Sequence, residues 1–311
     1  YRLTVSRLVA PATRGSGLPP LDIRASGRLA DSRVSLDANV SAGRAGSLTV
    51  AGSAPLSATG TLDLRANGNL DAAVANTLLA AGGQRVTGRV AIDATVRGTT
   101  ASPDVAGTAR LTGGTFSDQT AGIRFTGIEA ILQGTGDAVT IQRFSAATPN
   151  GGTIGASGRV TLDPGAGFPA DIRITGRRAQ LAANPTVTAV ADLDLSVRGP
   201  VTQRPAIAGR VSIVTLDISL PERLPRTLEP LPETRHVRPG PTARARLARE
   251  QRAQAARRGP PFAAALDLTI VAANRIFVRG RGLNAELGGD LRLTGTTLAP
   301  EPIGAFTLRN G

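Results

Sequence analysis

The sequence of 311 residues has no cysteine, no lysine, no methionine and no tryptophan, and it has a single histidine. Without cysteine there is no disulfide, no thiolate nucleophile and no cysteine-ligated metal. Without lysine there is no Schiff-base chemistry. One histidine, His236, cannot form a multi-histidine metal site. These absences predict a protein that is not an enzyme and that uses no cofactor or metal.

The absence of methionine also predicts that the chain is a fragment of a longer protein. No apolar run approaches the roughly 18 residues of a membrane-spanning helix, and no segment has the pattern of a signal peptide. We therefore expect any membrane anchor to lie outside this chain.

The chain has a net charge of +13, and all 36 of its Lys and Arg positions are arginine. Aromatic residues make up only 3% of the chain, so the stacking platforms used to bind single-stranded nucleic acid are scarce. No helix-turn-helix or zinc-finger spacing is present. The composition predicts no nucleic-acid partner.

Alternation of apolar and polar residues is the dominant pattern. In the stretch Val86–Gly98 every second residue is aliphatic or small, and the residues between them are mostly threonine, arginine and aspartate. Successive side chains of a strand point to opposite faces, so this pattern predicts strands with one apolar and one wet face. Because the pattern recurs along the chain, we predict an all-β protein of antiparallel type.

A longer repeat lies over the alternation. Three times a strand pattern ends in glycine, a Thr/Pro loop follows, and a second strand pattern with a central glycine returns. The first glycines, Gly98, Gly199 and Gly295, are 101 and then 96 residues apart. This self-similarity favours an elongated architecture over a closed globule, although hairpins that share turn residues by chance would give the same pattern.

Two segments depart from the β pattern. Asn69–Ala81 has helical spacing, with Asn69 as the predicted cap. The segment 221–261 is rich in arginine and proline, which predicts a solvated insertion or an arm for an anionic partner. It contains His236, for which we predict no role. We therefore divide the chain into a β region at 1–220, the insertion at 221–261 and a second β region at 262–311.

Carboxylates are the one plentiful class of acid or base. Asp63, Asp93, Asp194 and Asp267 each stand between apolar neighbours in a strand pattern, which places them on the wet face. A glycosidase-type pair of acids remains open at this stage, because spacing in sequence does not fix distance in space.

The stretch LDLTIVAANRIFVRGRGLNAELGGDLRLTGTT at Leu266–Thr297 resembles the C-terminal region of the TamB family. Supporting stretches are Arg85–Phe116, Thr153–Leu181 and Ile218–Pro225. The resemblance implies an elongated, twisted and curled β-sheet, the β-taco, with an open apolar groove. It also implies the distal part of a periplasmic protein, tethered to the inner membrane outside this chain and belonging to the AsmA-like, bridge-like lipid transfer superfamily.

The resemblance further implies a conduit or chaperone for phospholipid transport or outer-membrane protein assembly. The expected partners are phospholipid acyl chains, a barrel protein of the TamA/BamA type, and strands of unfolded barrel proteins. The residues expected to line the groove are Val90, Ile92, Val96, Val160, Leu162, Ile172, Ile174, Leu193, Leu195, Val197, Leu266, Leu268, Ile270, Leu291 and Leu293. The alternatives are a right-handed β-helix of carbohydrate-active or adhesin-like type, and a structural spacer with a packed interior.

Overall fold

The computed structural model describes residues 2–5, 22–30, 33–41, 46–56, 60–79, 83–221 and 263–311. They form one sheet of 16 strands. The strands are β1 (Arg2–Val5), β2 (Asp22–Ala30), β3 (Arg33–Ser41), β4 (Gly46–Pro55), β5 (Thr61–Asp71), β6 (Gln84–Thr99), β7 (Pro103–Asp118), β8 (Ile123–Gly136), β9 (Ala138–Thr148), β10 (Gly152–Thr161), β11 (Pro169–Ala183), β12 (Val187–Pro200), β13 (Ala206–Ser219), β14 (Ala265–Gly280), β15 (Leu283–Gly295) and β16 (Pro300–Asn310).

The strands follow one another in the sheet in the order of the chain. Neighbouring strands are antiparallel, with one exception: β13 and β14 are parallel. These two strands flank the segment 222–262, so the predicted insertion at 221–261 and His236 lie almost wholly outside the described residues. The all-β prediction is confirmed. The β-helix alternative is wrong, because that fold is built from parallel strands.

The sheet is one layer thick, and it buries few side chains completely. Among the described residues the fully buried apolar side chains are mostly alanines, such as Ala179, Ala191 and Ala272. Large aliphatic side chains are instead half-buried along one face. A packed interior would bury large side chains completely, so this part of the chain has no such interior.

The predicted helix begins later than expected, and its last two residues, 80–81, lie outside the described residues. Strand β5 continues through Asn69 to Asp71, and the helical residues are a 3₁₀ turn at Ala72–Ala75 followed by α1 at Asn76–Leu79. The carboxylate of Asp71, not the side chain of Asn69, accepts a hydrogen bond from the Ala73 amide at 2.8 Å. Alternation carries the strand past Asn69, and the aspartate then supplies the cap.

The three sequence repeats are the hairpins β6–β7, β12–β13 and β15–β16. In the first, the Thr99 amide donates to the Ser102 carbonyl at 3.1 Å, and in the third the Thr296 amide donates to the Ala299 carbonyl at 3.0 Å. In all three the glycine that ends the first strand has positive φ: Gly98 (80°), Gly199 (93°) and Gly295 (82°). The repeat in the sequence therefore corresponds to a recurring hairpin turn, which turn residues shared by chance would also produce.

The sheet curls strongly where strands β8 to β11 lie. The short hairpin β9–β10 ends at residues 148–152, while β8 and β11 extend beyond it. There the Ala183 amide, at the end of β11, donates a hydrogen bond to the Ala121 carbonyl before β8, at 3.2 Å. Register shifts interrupt the ladders in this region, including one after Gly176 in β11. Because bulges bend strands and increase twist, these shifts account for the curl.

Close backbone approach is possible at Gly158 because it has no side chain. Gly158 has a φ of 148°, and a Cβ atom there would collide with the Asp171 carbonyl oxygen and with the Ile172 Cα of β11. Gly155, on the same strand, has no such restriction: its nearest atoms would be the Thr175 Oγ1 at 3.3 Å and the Phe144 carbonyl oxygen at 3.6 Å.

We predict that Gly158→Ala lowers the free energy of unfolding by about 1–3 kcal/mol, because alanine must adopt a disfavoured backbone conformation or push β11 away. The matched control is Gly155→Ala, for which we expect a much smaller change. Urea denaturation followed by circular dichroism measures both. Equal stabilities of the two variants would contradict this reading of the strand contact.

Candidate functional site: an apolar trough and a charged outer face

The predicted groove-lining residues share one face of the sheet. Val197, Leu195 and Leu193 of β12 stand opposite Ile172, Ile174 and Gly176 of β11. The same residues of β12 stand opposite Ile207, Gly209 and Val211 of β13, which in turn pair with Leu266, Leu268 and Ile270 of β14. Leu291 and Leu293 of β15 continue this face beyond β14.

The same face extends toward the N-terminal strands. Val90, Ile92 and Val96 of β6 lie opposite aliphatic, alanine and glycine positions of β5 and β7. Val160 pairs with Val139 of β9, and Leu162 follows directly after β10. The structure therefore brings the fifteen predicted residues onto one surface, which we call the apolar trough.

Exposure distinguishes the two faces of the sheet. Each of the fifteen predicted residues is half-buried, although no second layer of strands covers this face among the described residues. The arginines and aspartates of the other face keep about 54–70% of their side-chain surface in solvent in most ion pairs. Side chains inside a curl converge and shield one another, so we assign the apolar face to the inside.

Further residues line the trough on strands from which no lining residue was predicted, and at additional positions of β14 and β15. The additional residues include Leu62, Leu64, Leu70, Val105, Leu111, Leu132, Val139, Ile141, Val211, Ile213, Ile276 and Leu287. Register shifts in β8 and β9, for example between Ile131 and Leu132, break the alternation there. Strands β5 and β7 alternate regularly up to Leu111, so alternation alone identifies their lining residues. The lining residues of β8 and β9 are identified instead from their register with a neighbouring strand whose apolar face is already known.

The outer face carries cross-strand ion pairs. The four aspartates predicted for the wet face do lie there, and each pairs with an arginine of its own or a neighbouring hairpin: Asp63–Arg97, Asp93–Arg65, Asp194–Arg173 and Asp267–Arg292. Exposed pairs of this kind each contribute little to stability, about 0–1 kcal/mol. Their main effect is to keep this face wet, which fixes which face turns inward.

Hydrogen bonding lowers the pKa of two carboxyl groups. The Arg292 guanidinium donates to both oxygens of Asp267, at 2.7 and 3.0 Å, and this lowers the pKa of Asp267. The pKa of Asp118 is lowered first by a hydrogen bond from the Ala121 amide and then by one from Gln84. A glycosidase general acid needs a raised pKa, so neither carboxyl group suits that role.

Surface depressions of about 730, 520 and 330 Å³ lie on the outer face of the described strands. The largest spans strands β11 to β15 and is lined mainly by arginines and aspartates of the ion pairs. Within the described ranges, no cluster of three or more histidine, aspartate or glutamate residues is arranged to hold a metal ion.

Residues 142–311, more than half of the chain, match the family model of the TamB C-terminal domain. The chain belongs to the TamB family. The match begins within β9 and includes the largest depression and the trough from β10 to β16. The stretch Arg85–Phe116, which also resembles TamB proteins, precedes the match and forms strands of the same sheet.

TamB proteins act in outer-membrane biogenesis as part of the translocation and assembly module, a transport and assembly system without enzymatic activity of its own. They span the periplasm from an inner-membrane anchor and work with an outer-membrane protein of the TamA type. No curated protein and no solved structure matches this TamB chain. None of the helices in the described residues has the length and apolar character needed to cross a membrane.

We predict that Arg292→Gln raises the pKa of Asp267 toward its ordinary value, because the principal cause of its lowering is removed. A lowered pKa means that the pair stabilises the fold above the unfolded-state pKa and that this stabilisation is lost as the pH falls through the folded-state pKa. Carbon-detected NMR titration of the carboxyl groups measures both values.

Asp118 is the internal control for this titration. Its pKa depends on Ala121 and Gln84, so it should not respond to Arg292→Gln. An unchanged pKa for Asp267, or an equal change at Asp118, would contradict the assigned cause.

Proposed function

We propose that the apolar trough carries phospholipid acyl chains between the two membranes. The observation that carries this proposal is a continuous aliphatic surface that crosses strand after strand and is not closed by a second layer. Phospholipid transport is one form of the outer-membrane biogenesis in which the TamB family acts.

The dimensions of the trough suit a lipid path. Neighbouring strands lie about 4.8 Å apart, so 16 strands give a path of roughly 70 Å measured across the strands. The hydrocarbon core of a whole bilayer is about 30 Å thick. Several lipids can therefore occupy the trough in succession, with their acyl chains inside the curl and their headgroups at its opening.

The residues of the trough favour a moving cargo over a fixed ligand. They are aliphatic or small, unlike the lining of a pocket for one ligand, in which convergent polar groups fix an orientation. Each buried methylene contributes about 0.8 kcal/mol, so a partly buried acyl chain is retained without any specific contact. The same small gain at each step lets the chain slide from one strand to the next.

Strands of unfolded barrel proteins are a second cargo for the same surface. The apolar side chains of such a strand would contact the aliphatic residues of the trough as acyl chains do. The TamB family works with an outer-membrane protein of the TamA type, which agrees with a role in barrel assembly.

The structural spacer fits the described residues less well. A spacer gains nothing from an uncovered aliphatic face, because such a face is an aggregation hazard unless it has an occupant. The trough therefore supports a role for its apolar surface beyond holding two ends of a protein apart.

Site-specific photo-crosslinking tests the lipid proposal. A crosslinker at Val96 or Ile270, which face the trough, should capture phospholipid in cells. A crosslinker at Thr95 or Thr269, the adjacent residues on the outer face, should not. The pairs are matched in strand, depth and labelling chemistry, so only the face differs.

Mass spectrometry of the adducts separates the outcomes. Phospholipid at the two trough positions alone supports the proposal. Protein adducts at those positions, without lipid, would indicate that the trough binds strands of unfolded proteins instead of phospholipid. Equal labelling of both faces, or no labelling of either, would overturn the trough as a binding surface.

A further inference from the structure

The outer-face depression that spans β11 to β15 has a floor of small side chains and a rim of long charged ones. Ser196 of β12 and Ala208 of β13 are direct neighbours across the sheet. Their row continues to Arg173 of β11 on one side and to Asp267 of β14 on the other. The result is a depression of about 730 Å³ whose floor residues are too short to fill it.

Arginines stand on both sides of this floor. On β12, Arg198 lies two residues beyond Ser196, and on β13, Arg210 lies two residues beyond Ala208. Residues two apart on a strand share a face, so both guanidinium groups lie beside the small residues. Arg292 of β15 completes the rim, and it stands opposite Thr269 of β14.

The aspartates of the depression are already engaged. Asp194 accepts from Arg173 at 3.0 and 2.9 Å, Asp267 accepts from Arg292 at 2.7 and 3.0 Å, and Asp171 accepts from Arg198 at 3.3 Å. Four arginines against three aspartates leave one positive charge in the depression.

That charge belongs to Arg210. It stands directly opposite Asp194 on β12, but the two oxygens of Asp194 are held by Arg173. Among the described residues, Arg210 forms no ion pair and no side-chain hydrogen bond. Arg198 engages its aspartate through Nε, so its terminal nitrogens also remain to donate.

We propose that this depression binds a tetrahedral oxyanion of the phosphate type, with Arg210 as the principal ligand. Guanidinium groups donate several N–H groups in a fixed planar fork that matches phosphate oxygens. A tetrahedral anion can accept from Arg210 and from the free nitrogens of Arg198 at once, which a planar carboxylate does less well. The short side chains of Ser196 and Ala208 leave the space that the anion occupies.

This site is independent of the lipid trough. The two surfaces are on opposite faces of a sheet one layer thick, so the headgroup of a lipid inside the curl cannot reach Arg210. A phosphate group at this site comes either from a soluble phosphate compound or from a membrane surface that the outer face touches.

Titration with inorganic phosphate tests the proposal on the whole chain. The expected result is a saturable shift of the Arg210 side-chain Nε–H signal and of the Ser196 and Ala208 amide signals in NMR, at constant ionic strength set with chloride. Arg210→Gln should weaken phosphate binding about tenfold or more, since a charge-assisted hydrogen bond is lost. Ser196→Asp, which places a carboxylate on the floor, should abolish it.

Arg309→Gln is the matched control. Arg309 is an exposed arginine of β16 outside the depression, so its substitution removes the same charge without touching the site. NMR signal shifts that increase with phosphate without saturating would overturn the proposal. An equal loss of phosphate affinity in the Arg210 and Arg309 variants would also overturn it. Both results would mean that phosphate only screens the surface charge of the protein.

Vesicles identify the source of the phosphate. Cosedimentation with phosphatidylglycerol vesicles, lost in Arg210→Gln and kept in Arg309→Gln, would assign the site to lipid headgroups. Saturable binding of inorganic phosphate without vesicle binding would assign it to a soluble phosphate compound. Each result supports the oxyanion site, and the absence of both would refute it.

Discussion

The structure depends on one constraint: a sheet one layer thick must shelter the aliphatic side chains of one face without a second layer to cover them. Curling is the remaining solution, since it turns that face inward and lets its side chains shield one another. The ion pairs of the other face, such as Asp267–Arg292, are weak individually. They matter because charged side chains cannot be turned inward without a large desolvation cost, so they fix the direction of the curl.

Individual glycines and register shifts between strands permit the sheet to curl. Glycines such as Gly158 let neighbouring backbones approach, and register shifts such as the one after Gly176 bend individual strands. Neither device adds to the apolar surface itself. They shape it into a curled surface that no second sheet covers among the described residues, which is the property that the proposed transport of acyl chains requires.

Much of this architecture follows from alternation in the sequence. Strands β6, β11, β12, β14 and β15 alternate clearly, and the residues chosen from them do share a face. The contribution of β13 and the neighbourhood of β8 and β9 could not be predicted, because bulges there shift the pattern by a residue. The partners of the aspartates were equally hidden: alternation gives a face, whereas pairing Asp194 with Arg173 requires the register between two strands. The parallel pairing of β13 with β14 is also invisible locally, since an amphipathic strand has the same pattern in either direction.

The charged depression around Arg210 could not be predicted from the alternation of residues either. Its arginines and aspartates are scattered over β11 to β15, and only the register brings short side chains to the centre and long ones to the rim.

Native mass spectrometry of the chain purified from a periplasm, without detergent, shows directly whether the trough holds lipid. An open aliphatic trough predicts co-purified phospholipid, with more than one lipid bound per chain. A chain that is folded and monomeric but free of lipid, and that takes up none from added vesicles, would contradict the account.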